Sequence, residues 1–144
     1  MSKIYNLPAL KQVVSYDGLG YGGGKYPTDI DGFLDYEGKV FIHYETKYKN
    51  AYLEKGQKLA FERKCDFVII PAFFLVSVHT VSPPEIVRLA DQPVKKIYTN
   101  VDRQKRWINY EDPCLNNKQW TDYIISQVIT GKIKYDYRPF RNSI

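Results

Sequence analysis

Pro27-Thr28-Asp29-Ile30-Asp31-Gly32-Phe33-Leu34-Asp35-Tyr36-Glu37-Gly38-Lys39-Val40-Phe41-Ile42-His43-Tyr44-Glu45-Thr46-Lys47 is the stretch on which the fold turns. Its period is two. Ile30, Gly32 and Leu34 alternate with Asp31, Phe33 and Asp35, and Val40, Ile42 and Tyr44 alternate with Phe41, His43 and Glu45. Between the two runs, Tyr36-Glu37-Gly38-Lys39 supplies the glycine that a tight reversal needs. A β-hairpin over residues 29–47 follows.

The hairpin concentrates charge. Glu45 and Lys47 are two apart, so both project from one face, roughly 6–7 Å from each other along the strand. If Asp31 shares that face, opposed residues have an even sum and the loop holds an odd number of residues. A three-residue loop, Tyr36-Glu37-Gly38, satisfies this with Gly38 in the left-handed position. It sets Asp29 opposite Glu45 and Asp31 opposite His43, with Asp31 and Glu45 diagonal neighbours. Two carboxylates converging on one spot repel, and neither ionises comfortably without a cation between them. Oxygen ligands of this kind suit Mg²⁺ or Mn²⁺. Water on such a metal loses a proton more easily and can attack phosphorus. Lys47, beside it, can orient the water or offset charge in the transition state. By geometry alone, alternating charges also describe a plain solvated strand face.

Working outward, Asp17-Gly18-Leu19-Gly20-Tyr21-Gly22-Gly23-Gly24-Lys25 is too rich in glycine for regular structure. Gly18, Gly20 and Gly23 match a dinucleotide fingerprint in spacing, but Pro27 and a strand follow where that site needs a helix. Tyr26 after Lys25 excludes a P-loop. The functional reading of this loop is close approach to a nucleic-acid backbone, with Lys25 as a phosphate contact. Before it, Leu10, Val13 and Val14 fit one helical stripe. After the hairpin, Leu53 to about Ile70 turns helical, although Phe67–Ile70 could equally open a strand. Phe73–His79 is a nearly all-apolar run, as expected of a strand covered on both faces. A short helical turn through Val87 and Leu89 and a strand over Val94–Thr99 come next. Asn116 or Asn117 caps a last helix running through Thr130, which Gly131 ends. The order indicates one mixed α/β domain over residues 1–144.

The 144 residues are 44% hydrophobic and 26% charged, which is ordinary globular usage rather than a disordered chain. No apolar run reaches the length that spans a membrane, and the start lacks a signal-peptide core, so a cytoplasmic protein is expected. Cys65 and Cys114 make no disulfide framework, and with His43 and His79 they lack zinc spacing. A net charge of +5 favours a polyanionic partner. Lys95, Lys96, Arg103, Lys105 and Arg106, with Trp107, form the densest basic and aromatic region and are candidate phosphate contacts. A basic tail with Lys132, Lys134, Arg138 and Arg141 is a further one. His79, ending a strand, either contacts substrate or simply closes the strand.

Pro27-Thr28-Asp29-Ile30-Asp31, the alternating hairpin and Glu45-Thr46-Lys47 together resemble the PD-(D/E)XK nuclease superfamily. That superfamily includes restriction endonucleases, Holliday-junction resolvases and RecB-type exonuclease domains. Gln57-Lys58-Leu59-Ala60-Phe61 on the next expected helix is similar to the QxxxY motif of the RecB-like branch, with Phe61 in the tyrosine position. The resemblance covers a core of about residues 27–79 and leaves 80–144 as C-terminal additions. It implies a restriction-endonuclease-like fold, a mixed central sheet flanked by helices. It also implies Mg²⁺- or Mn²⁺-dependent hydrolysis of DNA, structure-selective or exonucleolytic. Asp31, Glu45 and the Thr46 carbonyl would be metal ligands, with Asp29 the alternative to Asp31. Lys47 would be the catalytic lysine, and Gln57 would reach into the site from the helix. A homodimer would follow where two strands are cut symmetrically, and a phage or mobile-element origin fits the small size. One departure is that the segment before the glycine-rich loop holds no Glu to supply the further carboxylate of many members. A nuclease-like fold that only binds nucleic acid or protein is the alternative function.

Overall fold

Alternation along Val40–Tyr48 sorts the core into two layers. This segment is the second strand of a five-stranded sheet in a computed structural model that describes residues 15, 17–20, 22, 23, 30–49, 52–103, 106–111 and 114–134. The strands are β1 (Gly32–Tyr36), β2 (Val40–Tyr48), β3 (Ala72–His79), β4 (Val94–Thr99) and β5 (Ile108–Asn109), adjacent in that order. The β2–β3 pair is parallel and the other three pairs are antiparallel, so the sheet is mixed. A parallel pair needs a crossover, and α1 (Lys55–Asp66) provides it. The second helix, α2 (Asn117–Ile129), follows β5. Among the described residues no helix is long and apolar enough to cross a membrane.

Val40, Ile42, Phe73, Leu75, Val94 and Ile97 face α2, where Ile124 and Val128 meet them. On the opposite face, Ala72, Phe74, Val76 and Tyr98 meet Phe61 and Cys65 of α1. Each helix thus buries an i, i+4 pair. Cover on both faces explains why β3 is buried from Ala72 through Ser77. Phe61 stacks on Phe74 at 3.8 Å between ring centroids. His43 is buried beside Phe74, and its Nδ1–H donates to the Phe73 carbonyl at 3.1 Å. Burial pushes its pKa below the ordinary histidine value, so it packs as a neutral ring. At α2 the Asn116 side chain accepts from Gln119 N–H while the Gln119 side chain accepts from Asn116 N–H, a capping box. Gly131, at φ 75°, turns the chain away after Thr130.

Four sequence expectations shift. The hairpin loop is Glu37-Gly38-Lys39, because Tyr36 pairs with Val40 and Phe33 with His43. Parity is kept, but the register moves by one pair: Asp31 lies across from Glu45 instead of diagonal to it. Phe33, with its ring 5.2 Å from Phe41 and 5.0 Å from His43, holds that register. Both Glu37 and Gly38 carry positive φ, 53° and 65°, while the Asp35 carboxylate accepts the Gly38 N–H. Ile30 does not share a face with Leu34. The chain bends at Asp31, and Ile30 packs on the α1 side while Leu34 packs on the α2 side. Phe67–Ile70 forms no strand, since β3 opens at Ala72. The expected helical turn near Val87 is a 3₁₀ turn at Leu89–Asp91. Leu10, Val13, Val14, Lys25, Asp29, Lys105, Arg138 and Arg141 lie outside the described residues.

Asn100 ties the end of α1 to β3. Its Oδ1 accepts from Ala72 N–H at 2.8 Å, and its Nδ2 donates to the Cys65 and Ile70 carbonyls, both at 2.9 Å. Removing the amide strands several half-buried main-chain groups, so Asn100→Ala should cost about 2–3 kcal/mol. Urea melts of the two proteins test this. A difference under about 0.5 kcal/mol would mean that water replaces the amide at no cost.

Candidate functional site

Odd-numbered β2 residues face α1, which puts Glu45 and Lys47 on that face near the carboxyl ends of the parallel strands β2 and β3. Ligands of α/β sheets gather at such ends. Glu45 is only 5% exposed. The Lys47 ammonium lies 3.3 Å from Glu45 Oε1 and donates to Gln57 Oε1 at 3.0 Å. Gln57 Nε2 in turn reaches Glu45 Oε1 at 3.4 Å. Gln57 is in the first turn of α1, four residues before Phe61, so the ring that anchors the helix also aims the amide.

Asp31 joins from the neighbouring edge. Its Oδ2 accepts the Thr46 N–H at 2.7 Å. Odd residues of β2 point their main-chain groups at the β3 side, as Phe41 N–H to Pro71 O records, and Lys49 N–H just past the strand keeps that direction to His79 O. Even residues, Thr46 among them, therefore direct both N–H and C=O towards the β1 side. Strand β1 begins only at Gly32, so beyond it the Asp31 carboxylate takes the N–H, and the Thr46 carbonyl faces the same edge. Gly32 has its own reason to be small: a Cβ there would come within 3.3 Å of both Leu89 and Tyr44.

Burial, then the charge of Asp31, pushes the Glu45 carboxyl above the usual carboxylate range, and Lys47 only partly opposes them. Glu45 Oε2 is buried with no hydrogen-bond partner. A buried, partnerless carboxylate oxygen near a second carboxylate suits a hard cation. Among the described residues no three His, Cys, Asp or Glu side chains converge as a metal-holding group. The oxygen donors within this corner are thus Asp31, Glu45 and the Thr46 carbonyl, and Mg²⁺ commonly completes such a set with water.

The remaining candidates divide. Lys95 and Lys96 line a cleft on the α1 face with Lys49, Tyr52, Leu53, Val76 and Val78, one strand over from Glu45 and Lys47. A β-bulge between β3 and β4 brings adjacent lysines to one side, and Lys95 also reaches Cys114 Sγ at 3.4 Å. Lys49 and Tyr52 were not singled out in the sequence, where no motif joins them to Lys96. Arg103 is not brought to the site, since its 3₁₀ turn follows the end of β4, at the opposite end of the sheet. Arg106 is exposed just before Trp107, whose Nε1–H donates to Glu62 and whose ring packs on Tyr98. Trp107 is a cover of the α1 layer. His79 accepts from Val81 N–H and packs on Tyr48, closing the strand. A larger groove of about 960 Å³, lined by Phe67, Ile69 and Asn100 and by Lys132 and Lys134 of the basic tail, lies at the far end and includes none of Asp31, Glu45, Lys47 and Gln57.

A carboxyl raised by folding keeps a proton that the unfolded chain has lost. Its stabilising contribution is complete below the ordinary carboxylate pKa and is lost as pH rises through the higher folded value. Glu45→Gln should therefore melt higher relative to the parent at about pH 8 than at about pH 4. Mn²⁺ at about 100 times its dissociation constant should add ~2.7 kcal/mol to the parent and little to the variant. Equal metal responses in calorimetry would remove Glu45 from the donor set. Against family models, curated proteins and solved structures the chain finds no match, so the meaning of the site rests on its own geometry.

Proposed function

We propose that this chain is a metal-dependent nuclease of the PD-(D/E)XK kind, with a restriction-endonuclease-like core, that hydrolyses phosphodiester bonds of DNA. What carries the reading is the meeting of Glu45, Lys47 and Gln57 at one strand end, with Asp31 on the Thr46 N–H beside them. Sequence spacing alone places these groups on a hairpin and a helix without bringing them together.

In this reading Asp31, Glu45 and the Thr46 carbonyl would hold Mg²⁺ or Mn²⁺, which when bound lowers the pKa of water and neutralises phosphate charge. Lys47 orients the attacking water or faces a non-bridging phosphate oxygen, donating where negative charge develops. Gln57 keeps the ammonium in place through its carbonyl and offers its amide to Glu45. Burial of Glu45 excludes bulk solvent and strengthens each of these interactions. DNA in preference to RNA follows from the family resemblance.

A second reading, a nuclease-like fold that binds without cutting, is favoured by one observation. Among the described residues the converging carboxylates are only two, and Lys47 is engaged by both Glu45 and Gln57. Labelled linear, flapped, single-stranded and four-way DNA with Mg²⁺, Mn²⁺ or EDTA separates the two. Metal-dependent cutting that falls about 10²-fold or more in Lys47→Ala is expected. Binding that survives in Lys47→Ala and Glu45→Ala, with no cutting by the well-folded parent, would establish the binding module instead.

A further inference from the structure

The cleft beside the site has a composition of its own. It holds about 320 Å³, with Leu53, Val76 and Val78 as apolar lining, Tyr52 76% exposed at its edge, and Lys49, Lys95 and Lys96 around it. Val76 pairs with Glu45 and Val78 with Lys47 across the parallel ladder. The lining therefore begins about 5 Å from the site, one strand spacing away on the same face. Its volume stands at the lower bound of about 300 Å³ for small-molecule sites, room for one nucleoside unit and not for a duplex.

An apolar lining edged by an aromatic ring and ammonium groups asks for a ligand with a flat, poorly solvated face and a negative charge. Nucleotides of a polyanionic strand have both. We infer that this cleft receives the unpaired nucleotide next to the phosphate held by Glu45 and Lys47, with its base against Tyr52 and Val76 and its phosphate towards Lys49 and Lys96. The inference rests on the nuclease reading for what lies next door, and it narrows the substrate to a single strand or an unpaired end. A base that is paired cannot enter.

The backbone at Lys49 supports a built position. Lys49 follows β2 with φ 52°, a left-handed conformation that a non-glycine residue rarely adopts. The Lys49 N–H donates to His79 O at 2.8 Å in that pose, and its ammonium lies 5.1 Å from the Tyr48 ring centroid. Glycine would fit this backbone better, yet a lysine stands here, at the mouth of the cleft. Lys49→Gly is therefore a clean variant: it deletes the ammonium without opposing the fold.

Fluorescence anisotropy on the full chain in EDTA tests the assignment, with labelled oligothymidine of about 12 nucleotides against a blunt duplex of equal length. The single strand should bind more tightly. Tyr52→Ala should weaken it about tenfold, and Lys49→Gly should weaken it and reduce the salt slope by about one. Melting at or above the parent's temperature for Lys49→Gly, and close to it for Tyr52→Ala, confirms that both variants are folded. Duplex bound as tightly as single strand, single-strand affinity unchanged in both variants, or no binding at all would overturn the assignment. The two readings fail separately. Metal-dependent cutting that ignores Tyr52 sinks the cleft and keeps the nuclease, and Tyr52-dependent binding without cutting does the reverse.

Discussion

The parallel register between β2 and β3 sets Glu45 beside Val76 and Lys47 beside Val78, and the rest of the site hangs on it. Because the two strands run the same way, their carboxyl ends lie together and their crossover helix packs back over that face. Phe61 stacked on Phe74 fixes how α1 sits, and four residues earlier Gln57 meets the strand end. Moving β2 by one residue would turn Glu45 and Lys47 to the α2 side and put Thr46 under α1. Core packing and the polar cluster are therefore one constraint: the pattern that buries Phe74 against Phe61 also aims Lys47 at Gln57.

That arrangement is poor as pure stabilisation. A carboxylate that is 5% exposed keeps one oxygen without a partner, and a second carboxylate raises its pKa further. A lysine with one carboxylate on a solvated face would cost far less. Thr46 Oγ1 and Asn117 Oδ1 are likewise buried without partners on the α2 side, where Asn117 donates to Ser77 and to the Leu89 carbonyl. Partly satisfied polar groups gathered at one strand end conflict with the well-packed layers elsewhere, and such local conflict is what a site retained for chemistry looks like.

Much of this was readable in the residues. Period two marks the hairpin, spacing puts Glu45 and Lys47 on one side, an odd loop is what parity requires for Asp31 to join them, and Asn116 with Gly131 brackets α2 within a residue. What escaped depends on through-space partners or on backbone choices. The register moved by one pair because Glu37, with no composition signal, adopts positive φ beside Gly38. The packing role of Trp107 was not visible beside Arg106 because Glu62, its hydrogen-bond partner, is 45 residues away in the chain. Lys49 and Tyr52 belong to no motif, and only the cleft against Val76 and Val78 unites them with Lys96.

The site itself is made by stopping a strand early. An edge strand that ran on past Gly32 would take the main-chain groups of Thr46 into the ladder and leave nothing for chemistry. Instead the chain bends at Asp31, whose carboxylate replaces the missing main-chain acceptor for the Thr46 N–H. The exchange satisfies the donor, caps an exposed edge with charge as edges generally require, and leaves the Thr46 carbonyl facing the same corner. It also places a fixed negative charge close enough to Glu45 to raise its pKa. One bend thus supplies the sheet's edge protection and the second carboxylate together, and that economy explains why the acidic residue stands immediately before Gly32, the close-packed first residue of β1.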